Sequence, residues 1–146
     1  NLEEEAEMDY RRFGKTIYLR LDPGEEILEE VKKLAEKERI DLAQISGIGA
    51  VNDFTAGVYN TATKEYHSIR FQGAYEIVSL SGTVTKKDGE VYLHVHMSAG
   101  DEDGKVRGGH LNRAVISATG EIILQITEGK VEREFSEEIG LNLFRF

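Results

Sequence analysis

The hydrophobic period changes twice along this chain, and these changes limit the folds open to it. Residues 15–21 (KTIYLRL) alternate and predict a first strand. Between Ile27 and Ala35 the apolar residues recur every three or four positions, the spacing of one helix face. Beyond residue 42, apolar and polar residues alternate instead, as in strands buried on one face. These strand-like segments lie near residues 43–50, 53–60, 64–72, 75–86, 90–98 and 120–128. The pattern predicts an α+β fold: a mainly antiparallel or mixed sheet with one long amphipathic helix packed on it.

Turn and capping residues set the predicted boundaries. Asp22-Pro23-Gly24-Glu25 predicts a helix start, with Asp22 as the N-cap and Pro23 at the first helical position. The helix should run for about four turns and end near Arg39. Lys87-Asp88-Gly89 separates two strand-like runs and predicts a hairpin. A second short helix is expected from His110 to Ser117.

The charge is concentrated at the N-terminus. The chain of 146 residues has a net charge of −9, and residues 1–9 contain five carboxylates and no basic group. We expect residues 1–9 to form a disordered acidic tail, with residues 1–7 an extension before a natural start at Met8. Residues 10–146 should then form one domain. The acidic balance disfavours direct DNA binding, because phosphate contacts require clustered lysine and arginine.

Cysteine is absent from the sequence, which excludes disulfides, cysteine-ligated zinc and thiol nucleophiles. The apolar runs are too short to cross a bilayer. The N-terminus lacks the basic region followed by an apolar region that is typical of a signal peptide. These observations predict a soluble, cytoplasmic protein without a membrane partner.

Three of the four histidines lie within seventeen residues, in YLHVHMSAGDEDGKVRGGHLNRA. His94 and His96 share one face of a predicted strand, roughly 6.6 Å apart along it. His110 follows a Gly-Gly pair, which allows a close return of the chain to that strand. Three neutral nitrogen donors predict a zinc site with an open position for water or a small anion. Nickel, copper or ferrous iron would also suit these ligands.

The histidine pattern has an alternative interpretation. His94 and His96 would then be polar residues on the outer face of a half-buried strand, and His110 a coincidental helix-start residue. Arg107 and Arg113 flank the histidines and could hold an anion near a metal, although single arginines more often form surface salt bridges.

Several motifs together resemble the plants-and-prokaryotes-conserved (PPC) domain, over residues 10 to 146. They are Arg20-Leu21 with Gly24-Glu25, SGIGA (46–50), YEIVSLSG (75–82), LHVH (93–96) and GGHL (108–111). The resemblance implies an α+β subunit that assembles as a homotrimer. For the prokaryotic branch, it also implies a metal held by His94, His96 and His110.

The resemblance leaves three functions open. The first is a homotrimeric metal-binding protein with one zinc per subunit. The second is a DNA-associated or transcription-regulatory assembly module, as for plant relatives in which the domain follows an AT-hook. An AT-hook needs Arg-Gly-Arg-Pro, and the single proline here is Pro23. The third is a zinc-dependent hydrolytic enzyme acting on a small ligand, with Glu76 as a nominal general base.

Overall fold

A computed structural model describes residues 8–146, which form eight strands and one helix. In chain order these are β1 (Asp9–Phe13), β2 (Thr16–Leu21), α1 (Ile27–Lys37), β3 (Ala43–Asn60), β4 (Glu65–Lys87), β5 (Glu90–Gly100), β6 (Val106–Ile126), β7 (Glu132–Ser136) and β8 (Leu141–Arg145). A mostly β fold with one amphipathic helix agrees with the predicted pattern. Of the predicted acidic tail, residues 1–7 lie outside the described residues, and Asp9 begins β1.

The strands belong to one sheet with the order β1-β2-β6-β3-β4-β7-β8, and β5 pairs with both β4 and β6. The pairs are antiparallel except β4–β7, which is parallel and joins Lys86 to Glu132. Since β3 also pairs with both β4 and β6, these four strands form a closed circuit of pairing. This circuit brings β5 beside β6.

The core lies on the face of the sheet that the helix covers. Helix α1 buries Ile27, Val31, Leu34 and Ala35 and packs against β5 and β6. On the sheet, Phe54 is fully buried; its ring stacks on one aromatic neighbour, Phe71, and meets another, Tyr75, edge to face. Burying such side chains supplies the main favourable free energy of folding. The opposite, outer face carries both polar and exposed apolar side chains.

The helix begins later than predicted, so the assignment of Asp22 as N-cap and Pro23 as first helical residue is wrong. The N-cap is Glu26, whose carboxylate accepts from the backbone N–H groups of Leu28 and Glu29 at 3.1 and 2.9 Å. Residues 24 and 25 cannot join the helix, because their backbone groups pair with Ile116 of β6.

Among residues 8–146, no helix is both long and apolar enough to cross a membrane.

The second predicted helix is also wrong, because the segment from His110 to Ser117 lies within β6. Its backbone pairs with β3. Thr55 pairs with Arg113 and the next residue, Ala56, pairs with Leu111, so β6 has one extra residue at this point. This bulge separates the buried residues Leu111 and Ala114 by three positions, a spacing that imitates a helix. Tertiary pairing therefore overrides the local pattern.

The predicted hairpin at residues 87–89 is confirmed between β4 and β5. Asp88 and Gly89 have φ values of 52° and 80°, the left-handed pair that a two-residue hairpin turn requires. Elsewhere the strands are longer than predicted. Segments 43–50 and 53–60 join in β3, and segments 64–72 and 75–86 join in β4. The β3–β4 pairing shifts register between Gly47 and Ala50 and between Val51 and Asp53, and these irregularities bulge the strands without ending them.

The C-terminal hairpin, β7 and β8, contacts one end of β4 and, beyond the other end, the turn that joins β4 to β3. At one end, Arg133 donates to Thr85 Oγ1 at 2.8 Å. At the other, Lys64 Nζ donates to Glu137 O at 2.6 Å, and Tyr59 Oη donates to Ile139 O at 2.9 Å. The large apolar side chains of this C-terminal segment nevertheless stay exposed: Phe135, Leu141, Leu143, Phe144 and Phe146.

Candidate metal centre

Strand pairing brings the three predicted histidines together. His94 and His96 alternate on β5 with buried Val95 and Met97, so their imidazoles leave the face opposite the core. On β6, His110 pairs directly with His96. One ring nitrogen from each histidine lies within 4.8 Å of the other two, and Nε2 of His94 is 3.2 Å from Nε2 of His96.

The spacing of these nitrogens fits a shared ion. Two nitrogens bound at 2.0–2.1 Å to tetrahedral zinc stand about 3.3 Å apart. The His94–His96 separation of 3.2 Å already meets this requirement. The rings of His94 and His110 have centroids 5.4 Å apart, and those of His96 and His110 are 5.6 Å apart. With one nitrogen of each ring within 4.8 Å of the other two, His110 lies close enough to share an ion with His94 and His96.

The Gly-Gly pair before His110 makes this approach possible. A Cβ atom at Gly108 would overlap the carbonyl oxygen of Met97 on β5. At Gly109, φ is +153°, and a Cβ would meet the carbonyl oxygen of Gly57 on β3 at 2.5 Å. Only residues without a side chain let β6 fit this closely between its neighbours. The predicted close return of the chain is confirmed, but on a strand, since the helix expected there is absent.

Tyr66 holds the strand segment that carries His110. Its hydroxyl donates to Asn112 Oδ1 at 2.5 Å and lies 3.2 Å from His110 O, and its ring meets the His110 imidazole edge to face at 5.7 Å. Burial raises the pKa of Tyr66, which keeps the hydroxyl a neutral donor. No sequence pattern indicates Tyr66, because its partners come from a strand more than forty residues away. His67 is exposed and outside the cluster.

The environment of the imidazoles favours their neutral form. Burial is the main cause that lowers the pKa of His94 and of His110, and the charge of neighbouring His96 lowers both further. Arg133 adds a smaller lowering effect at His94. Neutral imidazole is the form that donates a nitrogen lone pair to a metal, so the cluster is electrostatically prepared for one.

The other predicted site residues lie apart from the cluster. Asp53 holds Arg113 at 3.1 Å and Arg70 at 2.8 Å, and these two guanidinium groups lower the pKa of the Asp53 carboxyl to about 2. Arg107 is exposed on β6, opposite Ala99. Glu76 pairs with Gly100, four residues along β5 from His96. That spacing is about 13 Å along the strand, too far for a general base at the ion.

Arg133 is a charged residue beside the cluster that the sequence analysis did not single out. It is buried, and its guanidinium group stacks between the rings of Tyr92 and Phe144, at 4.9 and 4.5 Å from their centroids. Its Nη2 lies 3.4 Å from Thr83 Oγ1, and Thr83 is the residue that pairs with His94. Arg133 stands in a run of mixed charges, KVEREFSEE (130–138), which carries no sequence signal for such a position.

Comparison with known proteins gives a consistent assignment. Residues 8–128 match the profile of the Plants and Prokaryotes Conserved (PCC) domain, the same domain abbreviated PPC above. The chain is 34% identical to a metal-containing protein from Archaeoglobus fulgidus, with a TM-score of 0.84 over 97% of this chain and 100% of that one. It is 27% identical to a candidate DNA-binding protein from Bacteroides thetaiotaomicron, with a TM-score of 0.92 over 95% and 97% of the two chains.

A curated relative contains a similar segment inside a longer protein. Over 112 residues, the chain is 31% identical to the bifunctional protein GlmU of Synechococcus. The match covers 75% of this chain and 16% of GlmU, so this chain spans about a sixth of that relative. The fold, the profile match and the Archaeoglobus relative agree with the motifs in the sequence, and the chain belongs to the Plants and Prokaryotes Conserved domain family.

Proposed function

We propose that this protein is a homotrimeric metal-binding protein that holds one zinc ion per chain on His94, His96 and His110. The observation that carries the proposal is the convergence of three imidazoles on one point of the outer sheet face. This arrangement disfavours the alternative of unrelated polar surface residues, because the three come from two strands and meet within bonding reach of one ion.

The donor set indicates which metal and which further ligands to expect. The cluster offers three neutral nitrogens, and residues 8–146 add no carboxylate or thiolate to it. Such a set suits zinc, with nickel, copper and ferrous iron as competitors. Three protein ligands leave a coordination position for water or a small anion. The 34% identical Archaeoglobus protein is described as metal-containing, which supports the same role here.

Elemental analysis of the purified, untagged protein after gel filtration tests the metal site. The wild type should contain about one zinc per chain, and His94→Ala/His96→Ala should contain none. His67→Ala is the matched control, because His67 is exposed and lies outside the cluster. Equal metal content in the wild type and the double variant would refute the site.

A groove with exposed apolar side chains on the outer sheet face supports the proposed trimer. The groove has a volume of about 930 Å³, and its lining combines charged residues such as Arg11 and Glu121 with Phe13, Tyr18, Ile48 and Val78. These four apolar side chains are 54 to 60% exposed. Exposed apolar groups clustered in this way are typical of protein interfaces. Ser81 also lines the groove and pairs with His96, so an assembly through this surface would lie beside the metal.

Hydrolysis and DNA binding receive less support. Zinc on three histidines can lower the pKa of bound water to near 7, but Glu76, the nominal base, is remote from the ion. DNA binding is suggested by the description of the Bacteroides protein. The net charge of −9 opposes it, because binding depends on phosphate neutralisation. Gel shifts over a salt series would detect such contacts, whose affinity falls steeply as salt rises.

A further inference from the structure

Arg133 is a buried cation whose partners are all neutral. Its side chain is only 8% exposed. Its nitrogens contact Thr85 Oγ1 at 2.8 Å, Asn142 O at 2.9 Å and Thr83 Oγ1 at 3.4 Å. Among residues 8–146, no carboxylate lies within ion-pair distance of it. Buried arginine ordinarily has an anionic partner, because an unpaired charge is costly to remove from water.

The guanidinium group is placed beside the histidine cluster by the β4–β5 pairing. Thr83 pairs with His94, and Thr85 pairs with Tyr92, so the two threonines that contact Arg133 border the first metal ligand. Among the three guanidinium nitrogens of Arg133, Nη2 has the longest contact, at 3.4 Å to Thr83 Oγ1. It can therefore donate a further hydrogen bond.

With a metal ion bound, the site would therefore carry excess positive charge. A divalent ion on neutral imidazoles keeps its full charge, and Arg133 adds another nearby. The described part of the chain adds no carboxylate to the cluster that could balance it. An oxyanion would satisfy both cations, because carboxylate and phosphate oxygens bind zinc and also match the guanidinium fork.

We propose that Arg133 and the metal ion together form a binding site for a small oxyanion, a carboxylate-bearing or phosphate-bearing molecule. One oxygen of the ligand occupies the open coordination position, and an anionic oxygen accepts from Arg133. The inference rests on the proposed metal site and gives its open position a ligand class. It differs from the expectation for Arg107 and Arg113, since one is exposed and the other is held by Asp53.

Arg133 also has a structural role, which the test must separate from ligand binding. Its stacking between Tyr92 and Phe144 joins β8 to β5, so removing it could loosen the hairpin. Arg133→Met keeps an unbranched apolar stem between the rings while removing the charge. Replacing a buried ion by an apolar side chain of similar size is often neutral or stabilising. Arg133→Lys keeps the positive charge but loses the planar guanidinium group, which can bind an oxyanion through two hydrogen bonds.

Cobalt-substituted protein provides the measurement. Co²⁺ takes the place of zinc, and its visible absorption responds to ligand exchange. Acetate and inorganic phosphate are titrated separately, and the tighter of the two identifies the preferred anion. We expect Arg133→Met to weaken binding of that anion by about tenfold or more, while cobalt stoichiometry and circular dichroism stay as in the wild type. Arg107→Met is the matched control and should bind the anion as the wild type does.

The outcomes distinguish the two proposals. If the wild type binds no cobalt, the metal site itself is refuted. If cobalt binds one per chain but neither anion alters its spectrum, only the oxyanion site is refuted. Wild-type anion affinity in Arg133→Met refutes it as well. If Arg133→Met does not fold, Arg133→Lys decides: weaker anion binding at unchanged cobalt stoichiometry supports the site, and wild-type affinity overturns it.

Discussion

At the scale of single residues, the histidine cluster depends on two strands that approach more closely than side chains allow. Gly108 and Gly109 remove the Cβ atoms that would meet Met97 and Gly57. His110, the next residue, can then reach the imidazoles of β5. Site geometry and local backbone packing are thus coupled at this point of β6.

Gly109→Ala should therefore damage both stability and metal binding. The new Cβ would meet Gly57 O, and φ would stay at +153°, where L-residues are strained. We expect a loss of about 2 kcal/mol or more in the free energy of unfolding, together with weaker zinc retention. Urea denaturation and elemental analysis measure the two effects.

Gly104→Ala is the control for this prediction. Gly104 also has a positive φ, +76°, but a Cβ there would meet nothing within 4 Å. Its replacement should cost about 1 kcal/mol from backbone strain alone and leave zinc content unchanged. Equal losses in the two variants would show that the approach of β6 to β3 is not what makes Gly109 necessary.

Asp53 should make stability depend on pH in the acid range. Arg70 and Arg113 hold its pKa near 2, below the usual 3.8. The unfolded chain therefore binds a proton at a higher pH than the folded chain, and the stabilisation is lost as pH falls from about 4 to about 2. Asp53→Asn should show a smaller decline in melting temperature over this range. A decline as steep as in the wild type would contradict the assignment.

At the scale of elements, the start of α1 shows how tertiary contacts choose between two capping residues. Asp22 has the preferred N-cap chemistry, but Glu26 performs the function. Its carboxylate caps the helix and also accepts from the backbone N–H of Ala114 on β6 at 2.8 Å. Glu26 thus connects the start of the helix to the sheet through hydrogen bonds.

Glu26→Ala should consequently destabilise the fold more than Asp22→Ala. It removes the cap and leaves the part-buried N–H of Ala114 without this acceptor. We expect a loss of about 2 kcal/mol for Glu26→Ala and at most about 0.5 kcal/mol for Asp22→Ala, whose contact with Arg20 is exposed. Urea denaturation of both variants measures this, and the reverse order would restore Asp22 as the cap.

Sequence patterns predicted the elements that local periodicity determines. The spacing of Ile27, Val31 and Leu34 is typical of one helix face, and the structure has a helix there. Asp88-Gly89 is typical of a hairpin turn, and the structure has that turn. The segment after His110 was misassigned because a bulge depends on the partner strand, which a local pattern does not contain. The three histidines were identified from spacing and resemblance. Tyr66 and Arg133 were missed because they join the site through pairings distant in sequence.

At the scale of the whole molecule, assembly should depend on the groove with exposed apolar side chains. Ile48→Asp/Val78→Asp places two charges on its lining, and a desolvated charge opposes association. The wild type should scatter light as three chains of 16.4 kDa, and the variant as one chain that still contains zinc. Val58→Asp, at an exposed site outside the lining residues, should leave the mass unchanged. A trimeric double variant would place the interface elsewhere.

The alternation on β5 has a consequence for how proteins of this family can diverge. Val95 and Met97 belong to the core, whereas His94 and His96 point away from it. Substitutions at the histidines therefore leave packing intact and should carry little selective cost for folding. A change of ligand set at the proposed metal site would therefore not require the sheet to be rebuilt. Within this fold, the side chains on the outer face of β5 can vary independently of the core.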